Sequence, residues 1–215
     1  MTRVHICIIS LLVWGVLSCT PKKEFELPVL GRKNIVEKDI NGTKTYDTLD
    51  HTIAPFSFVN QEGEEVNNQY VKGKIYVADF FFTSCPTICP RMKKQMTRVY
   101  EKYDGDSLFT ILSHTIDPEY DTIQVLKEYS EAIGVGTPTW HFLTGDREEI
   151  YNLGETSYMI VAGEDENEPG GYIHSGAFIL VDHLGRIRGV YDGTAEDQVS
   201  ILLMDIDLLL NKLRE

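Results

Sequence analysis

The sequence predicts an α/β protein built as a three-layer α/β/α sandwich around a central mixed sheet, on three observations. Between residues 74 and 153, apolar runs rich in β-branched and aromatic residues alternate with segments of helical periodicity, an order that gives parallel strands joined by helical crossovers. Two further apolar runs, "SGAFILVD" and "RIRGVYDG", are separated only by "HLG", which makes an antiparallel hairpin. The chain closes in "EDQVSILLMDIDLLLNKL", whose Val199, Leu202, Leu203, Ile206, Leu209 and Leu210 form a broad apolar face that must pack on the sheet.

Each element has its own signal. "PFSFVNQEGEEV" reads as a hairpin around Glu62 and Gly63. "KIYVADFFF", from Lys74 to Phe82, is almost continuously apolar, so it is predicted to be a central strand covered on both faces. From Pro90, Met92, Met96, Val99, Tyr100 and Tyr103 recur at helical spacing until Gly105, and the two methionines are read as core residues. "SLFTILSHTID" is a second buried strand. "DTIQVLKEYSEAIG" is a helix with Asp121 as expected N-cap, Gln124 three residues on and Gly134 as its stop. "TWHFLTG" is a third strand, followed by a short helix capped by Asp146. "GEDENEPGGY", residues 163–172, is a charged, glycine-rich loop ahead of the hairpin. This succession is the arrangement of thioredoxin-like domains.

The formal net charge of −13 argues against nucleic acid and anionic membrane surfaces as partners, and leaves cationic proteins and metal ions. Residues 1–18, "MTRVHICIISLLVWGVLS", hold Arg3 and then an uncharged apolar run from Ile6 to Leu17, the layout of a secretory signal and short for a membrane span. The run ends in "VLSC", which resembles the lipobox of bacterial lipoproteins, whose cysteine, here Cys19, is lipidated and becomes the mature N-terminus. The expected organisation is a signal peptide over 1–18, a polar tether with short strands over 19–53 and one globular domain over 54–215. Of the four cysteines, Cys7 leaves with the signal and Cys19 takes the lipid, so Cys85 and Cys89 are the thiols that remain. A bridge between them would close a loop of a few residues and stabilise little, which points to chemistry rather than stapling.

The pair sits in "DFFFTSCPTICPRMKK", between a buried strand and a helix, at the carboxyl edge of the sheet where open α/β folds bind ligands. The helix end favours thiolate, which raises nucleophilicity and metal affinity together. Pro90 suits the first turn of a helix, so Cys85 to Cys89 is predicted as a turn with the helix beginning at Pro90. At that spacing the pair can form a disulfide or clamp a soft metal ion, and the residues leave both open. A third ligand would decide. His5 lies in the signal, His51 in a polar stretch, His183 in the hairpin turn and His141 in a strand beside Trp140. His114 lies near a strand end on the functional edge, and His174 follows the acidic loop and opens a strand where a loop could bring it over the cysteines.

Taken together, "FFFTSCPTICP", "TIDPEYDT", "TWHFLTG" and the lone histidine before "AFILVDHLGRIRGVYDG" resemble the Sco/SenC family, over roughly Ile53 to Leu213. The resemblance implies a thioredoxin-like fold, membrane anchoring outside the cytoplasm and delivery of copper to the CuA-bearing subunit of cytochrome c oxidase. It implies Cys85, Cys89 and His174 as the copper ligands. The chain departs from the family at Ile173, where an aspartate often precedes the histidine. Two thiolates and an imidazole suit Cu(I) and can also hold Cu(II).

A competing reading is a thiol-disulfide oxidoreductase that reduces the cysteines of the oxidase copper site, with Cys85 and Cys89 as its redox dithiol. A peroxidase is disfavoured because Phe82 stands where peroxiredoxins place a threonine. A third reading is a docking protein in which the two cysteines form a permanent disulfide.

Overall fold

The computed structural model describes residues 26–164 and 172–215. It opens with a ribbon of β1 (Asn34–Ile40) and β2 (Thr43–Leu49), turned at Asn41 and Gly42, which both have positive φ. Asn-Gly at such a turn matches the right-handed twist of the strands it joins. Then follow β3 (Ser57–Val59), β4 (Glu65–Asn67) and the short helix α1 (Asn68–Val71). The central part runs β5 (Ile75–Phe81), α2 (Cys89–Tyr103), β6 (Phe109–Thr115), α3 (Ile123–Ile133), β7 (Trp140–Leu143) and α4 (Arg147–Leu153). A π-helical turn at Gly154–Tyr158 leads to β8 (Ala162–Glu164), and the chain ends with β9 (Tyr172–His174), β10 (Ala177–Val181), β11 (Ile187–Asp192) and α5 (Glu196–Arg214).

The main sheet has the order β11-β10-β5-β6-β7, with β5, β6 and β7 parallel and β10 and β11 antiparallel. This is the mixed sheet of the predicted sandwich. All seven residues of β5 and of β6 are buried, because helices cover one face and the β3–β4 hairpin with α1 and α4 the other. On the first face, Tyr103 of α2 donates to the Leu203 carbonyl of α5 at 2.8 Å, and Tyr129 of α3 packs on Phe81 and Phe142. Met92 and Met96 are 2% and 1% exposed, so they are core residues as expected. On the second face, Phe58 of β3 and Tyr158 pack around Phe80 and His114.

Packing reaches toward the N-terminus past Ala54. Ile53 and Leu27 are buried, and Leu30 bridges to Ile187 at the start of β11. The acidic loop is narrower than its sequence span, since β8 and β9 pair antiparallel around it; residues 165–171 lie outside the described residues.

Candidate metal centre

β5 delivers the chain to the cysteines, and a buried carboxylate fixes where it goes next. Asp121 accepts hydrogen bonds from the backbone N–H of Thr83 at 3.1 Å, from the Thr83 hydroxyl, and from the Thr115 hydroxyl at 2.5 Å. It therefore ties the segment two residues before Cys85 to the end of β6. This corrects the expected capping role: Thr122 caps α3, its hydroxyl accepting from Val125 N–H, because Asp121 is already committed to the two threonines. Burial raises the Asp121 pKa, and the three donors only partly oppose it.

Cys85 N–H donates to the Phe82 carbonyl at 3.2 Å and closes a turn. α2 starts at Cys89, one residue earlier than predicted, with Ile88 at the cap position and Pro90 in the first turn, where its missing N–H costs nothing. Cys85 and Cys89 are thiols rather than a disulfide, and are 7% and 6% exposed. Their sulfurs share a hydrogen bond, and Cys85 Sγ also meets the Thr87 hydroxyl at 3.7 Å.

The two thiols are electrostatically unequal. Burial opposes the Cys85 thiolate, but the Cys89 thiol and the amides of Thr87 and Cys89 outweigh burial and hold its pKa below the ordinary thiol value. Cys89 is driven far upward, by burial first and then by the adjacent Cys85 sulfur, with the Phe82 amide offsetting only part. The pair is one stabilised nucleophile beside one protonated donor.

A small cavity under Cys89 is lined by Asp79, Met92, Lys93, Tyr129 and Trp140. Within it the Trp140 indole N–H donates to Ser113 Oγ at 2.8 Å, and the Ser113 hydroxyl donates to Asp79 at 2.5 Å. Burial pushes the Asp79 carboxyl up to about 7, against the Ser113 hydrogen bond. The sequence reading missed Asp79. Its signal was an aspartate in the middle of an otherwise apolar strand, and an ionisable group there needs a local reason.

His174 ends β9, its backbone paired with Ala162. Two residues on, Gly176 lies against the cysteine turn: a Cβ there would stand 3.5 Å from Ile88 Cδ1, and the Gly176 carbonyl accepts from Gly193 N–H at 2.7 Å. The backbone following His174 is thereby carried to the residue that precedes Cys89. Cys19, the expected lipidation site, lies outside the described residues. Among the described residues, no three histidine, cysteine, aspartate or glutamate side chains form a metal-binding group. Two adjacent sulfurs of unequal acidity suit a soft, thiophilic ion.

The other histidines sit elsewhere. His114 is not at the cysteines: it is fully buried on the opposite face of the sheet, stacked on Phe80 at 5.0 Å and edge-on to Phe58 at 5.5 Å, and neither ring nitrogen has a hydrogen-bond partner among the described residues. His141 is a buried core histidine that meets the Asn60 amide at 3.1 Å and the Tyr70 hydroxyl at 2.8 Å. His51, expected in solvent, is half-buried with Nε2 at 2.7 Å from the Ser157 carbonyl.

The family model described as SCO1/SenC matches residues 44–208. Among solved structures, a SCO1/SenC family lipoprotein from Bacillus anthracis str. Ames superposes with a TM-score of 0.68 at 29% identity, covering 74% of this chain and 95% of the other. BsSco, for which a disulfide switch is described and which belongs to the Sco family of cytochrome c oxidase assembly proteins, superposes at 0.65 with 32% identity, covering 74% and 93%. Bradyrhizobium japonicum ScoI with copper bound superposes at 0.59 with 25% identity, covering 71% and 98%. Matched along most of its folded length by sequence and by structure, the chain belongs to the SCO1/SenC family.

Proposed function

We propose that the protein binds copper outside the cytoplasm and hands it to the CuA site of cytochrome c oxidase during assembly, held to the membrane by a lipid on Cys19. Copper is the cargo. Cys85 and Cys89 supply two thiolates and His174 supplies an imidazole. The observation that carries this reading is the adjacent, unequal thiol pair at the start of α2. Cys85 offers a sulfur already inclined to the thiolate form. Cys89 must release its proton as the metal is taken up, so loading is coupled to pH and to the reduced state of the pair. Copper-bound ScoI from Bradyrhizobium japonicum, a relative of the same fold, supports the choice of metal. Titration of the reduced protein with Cu(I) and with Cu(II) tests the assignment. Wild type is expected to bind stoichiometrically, with at least tenfold weaker binding in Cys85→Ala, Cys89→Ala and His174→Ala. Unchanged affinity in His174→Ala, or no binding by wild type, overturns it.

The same asymmetry favours a second reading, reduction of a disulfide in the oxidase copper site. The Cys85 thiolate would attack one partner sulfur, displacing the other as thiolate and forming a mixed disulfide. Cys89, losing its proton, would then attack Cys85 Sγ and release the second partner thiol, leaving Cys85–Cys89 oxidised and the partner reduced. Stopped-flow dithiol exchange separates the readings, since metal transfer needs no mixed disulfide.

A further inference from the structure

Residues 26–30 are fastened to one end of the domain. Glu26 pairs with Lys212 near the end of α5, Leu27 is buried, and the Arg188 guanidinium donates to the carbonyls of Leu27 and, at 3.1 Å, Pro28. Leu30 N–H donates to the Ile187 carbonyl at 2.9 Å. The register of the sheet says which end this is. Ile187 is opposite Val181, and Val181 is opposite Tyr76, so the fastened segment lies where β5 begins. The cysteines follow the other end of β5. α5 spans the same distance: it starts after Asp192, opposite Ala177 at the cysteine edge, and ends with Arg214 paired to Asp106 just before β6. Its 19 residues at about 1.5 Å each separate the two ends by about 28 Å.

We infer that the end of the domain formed by the β10–β11 turn and the C-terminus of α5 faces the membrane, and that the cysteine edge faces away from it. This rests on the proposed lipid at Cys19. From Cys19 to Glu26 the chain advances seven residues, which fully extended reach at most about 25 Å. With the cysteine edge on the bilayer, Glu26, paired with Lys212 sixteen residues along α5 from Glu196, would stand about 24 Å above it, so the seven residues would have to run fully extended and perpendicular to the surface. The pose with the fastened end on the bilayer needs no such stretching, so the length of the tether favours it.

The surface of this end suits the position. His183, Arg186, Arg188 and Lys212 line a cavity of about 370 Å³ together with Val29 and Leu213, and Leu184 in the adjacent turn is 56% exposed. Asp182 and Glu26 are taken up by Arg186, Arg188 and Lys212. Arg186 also pairs with Asp50, so in a chain of net charge −13 these three cations and three carboxylates balance, and this end does not set a bare acidic surface against the bilayer. The consequence for exchange is a height: the thiol pair stands roughly 28 to 50 Å from the bilayer surface, so the receiving metal site must also stand clear of it.

The test uses the lipid-modified chain in phosphatidylcholine vesicles containing a minority of phosphatidylglycerol and a headgroup-rhodamine acceptor lipid. In a Cys85→Ser, Cys89→Ser background, a donor dye is placed at Lys72→Cys, beside the fastened end, or at Tyr120→Cys, at the cysteine edge. Energy transfer to the bilayer is expected to be at least several-fold stronger from position 72. Equal or stronger transfer from position 120 on vesicle-bound protein overturns the orientation while leaving the anchor intact. Protein that stays in the supernatant overturns the anchor and the orientation with it.

Discussion

His114 makes stability depend on pH in a way one substitution should expose. Its ring is fully buried among Phe56, Phe58, Phe80 and Tyr158, neither nitrogen has a partner among the described residues, and burial holds its pKa down to about 3. In the unfolded chain the imidazole takes a proton below about 6.5. Between those values the unfolded state binds the proton and the folded state does not. The stability contribution is thus whole above 6.5 and is lost as pH falls toward 3. The slope is about 1.4 kcal/mol per pH unit, so going from pH 6.5 to pH 5 costs about 2 kcal/mol through this group alone. Asp79 works in the opposite sense, because a carboxyl pushed up to about 7 gains stability on acidification from 7 toward 4. The two partly cancel in wild type. The comparison with His114→Leu removes everything the two proteins share. At pH 7.5 the variant should lie within about 1 kcal/mol of wild type, since lost ring contacts are offset by deleting two unpaired buried nitrogens. At pH 5 it should be about 2 kcal/mol more stable relative to wild type than at neutrality. Urea unfolding at a series of pH values measures this, and parallel stability curves for the two proteins would refute the reasoning.

The cysteine turn makes two more claims. Asp121→Ala leaves the Thr83 amide and two threonine hydroxyls without their acceptor, so urea unfolding should show a loss of about 3 kcal/mol, and a loss below about 1 kcal/mol would mean the carboxylate does not hold the turn. Iodoacetamide with peptide mapping should modify Cys85 at least tenfold faster than Cys89 at pH 7.5, and Cys85→Ser should leave Cys89 nearly inert; equal rates would contradict the asymmetry.

The sandwich was legible because its strands are unbroken apolar runs and its helices carry a 3.6-residue period. The errors have local causes. Asp121 and Thr122 are both able to cap α3, and the choice was made by Thr83, 38 residues away in sequence, and by Thr115, which claim the aspartate. His114 was placed near the functional edge by its height along β6, but alternation along a strand sends neighbours to opposite faces, and in a strand buried on both sides polar residues fall on either face, Ser113 toward Asp79 and His114 onto Phe80. The ribbon at 34–49 supplies short strands where residues 19–53 were expected to hold them; Asn41-Gly42 marks its turn, and its exposed second strand carries no apolar alternation from which its bounds could be read. Cys85 and Cys89 were found because they are the only thiols an exported, lipidated chain would keep. Asp79 escaped because the apolar run around it outweighed it.

Trp140 donates into the Ser113–Asp79 pair and shares a cavity wall with Cys89. The other tryptophan, Trp14, lies within residues 1–18, the segment expected to act as a signal peptide. In a chain without that segment, all the indole emission would arise from one ring that shares a cavity with Cys89. Protonation of the carboxyl, oxidation of the pair or quenching by a bound metal would each reach that ring within a few bonds or contacts, so the domain carries its own optical gauge of the state of its cysteines, with no dye attached.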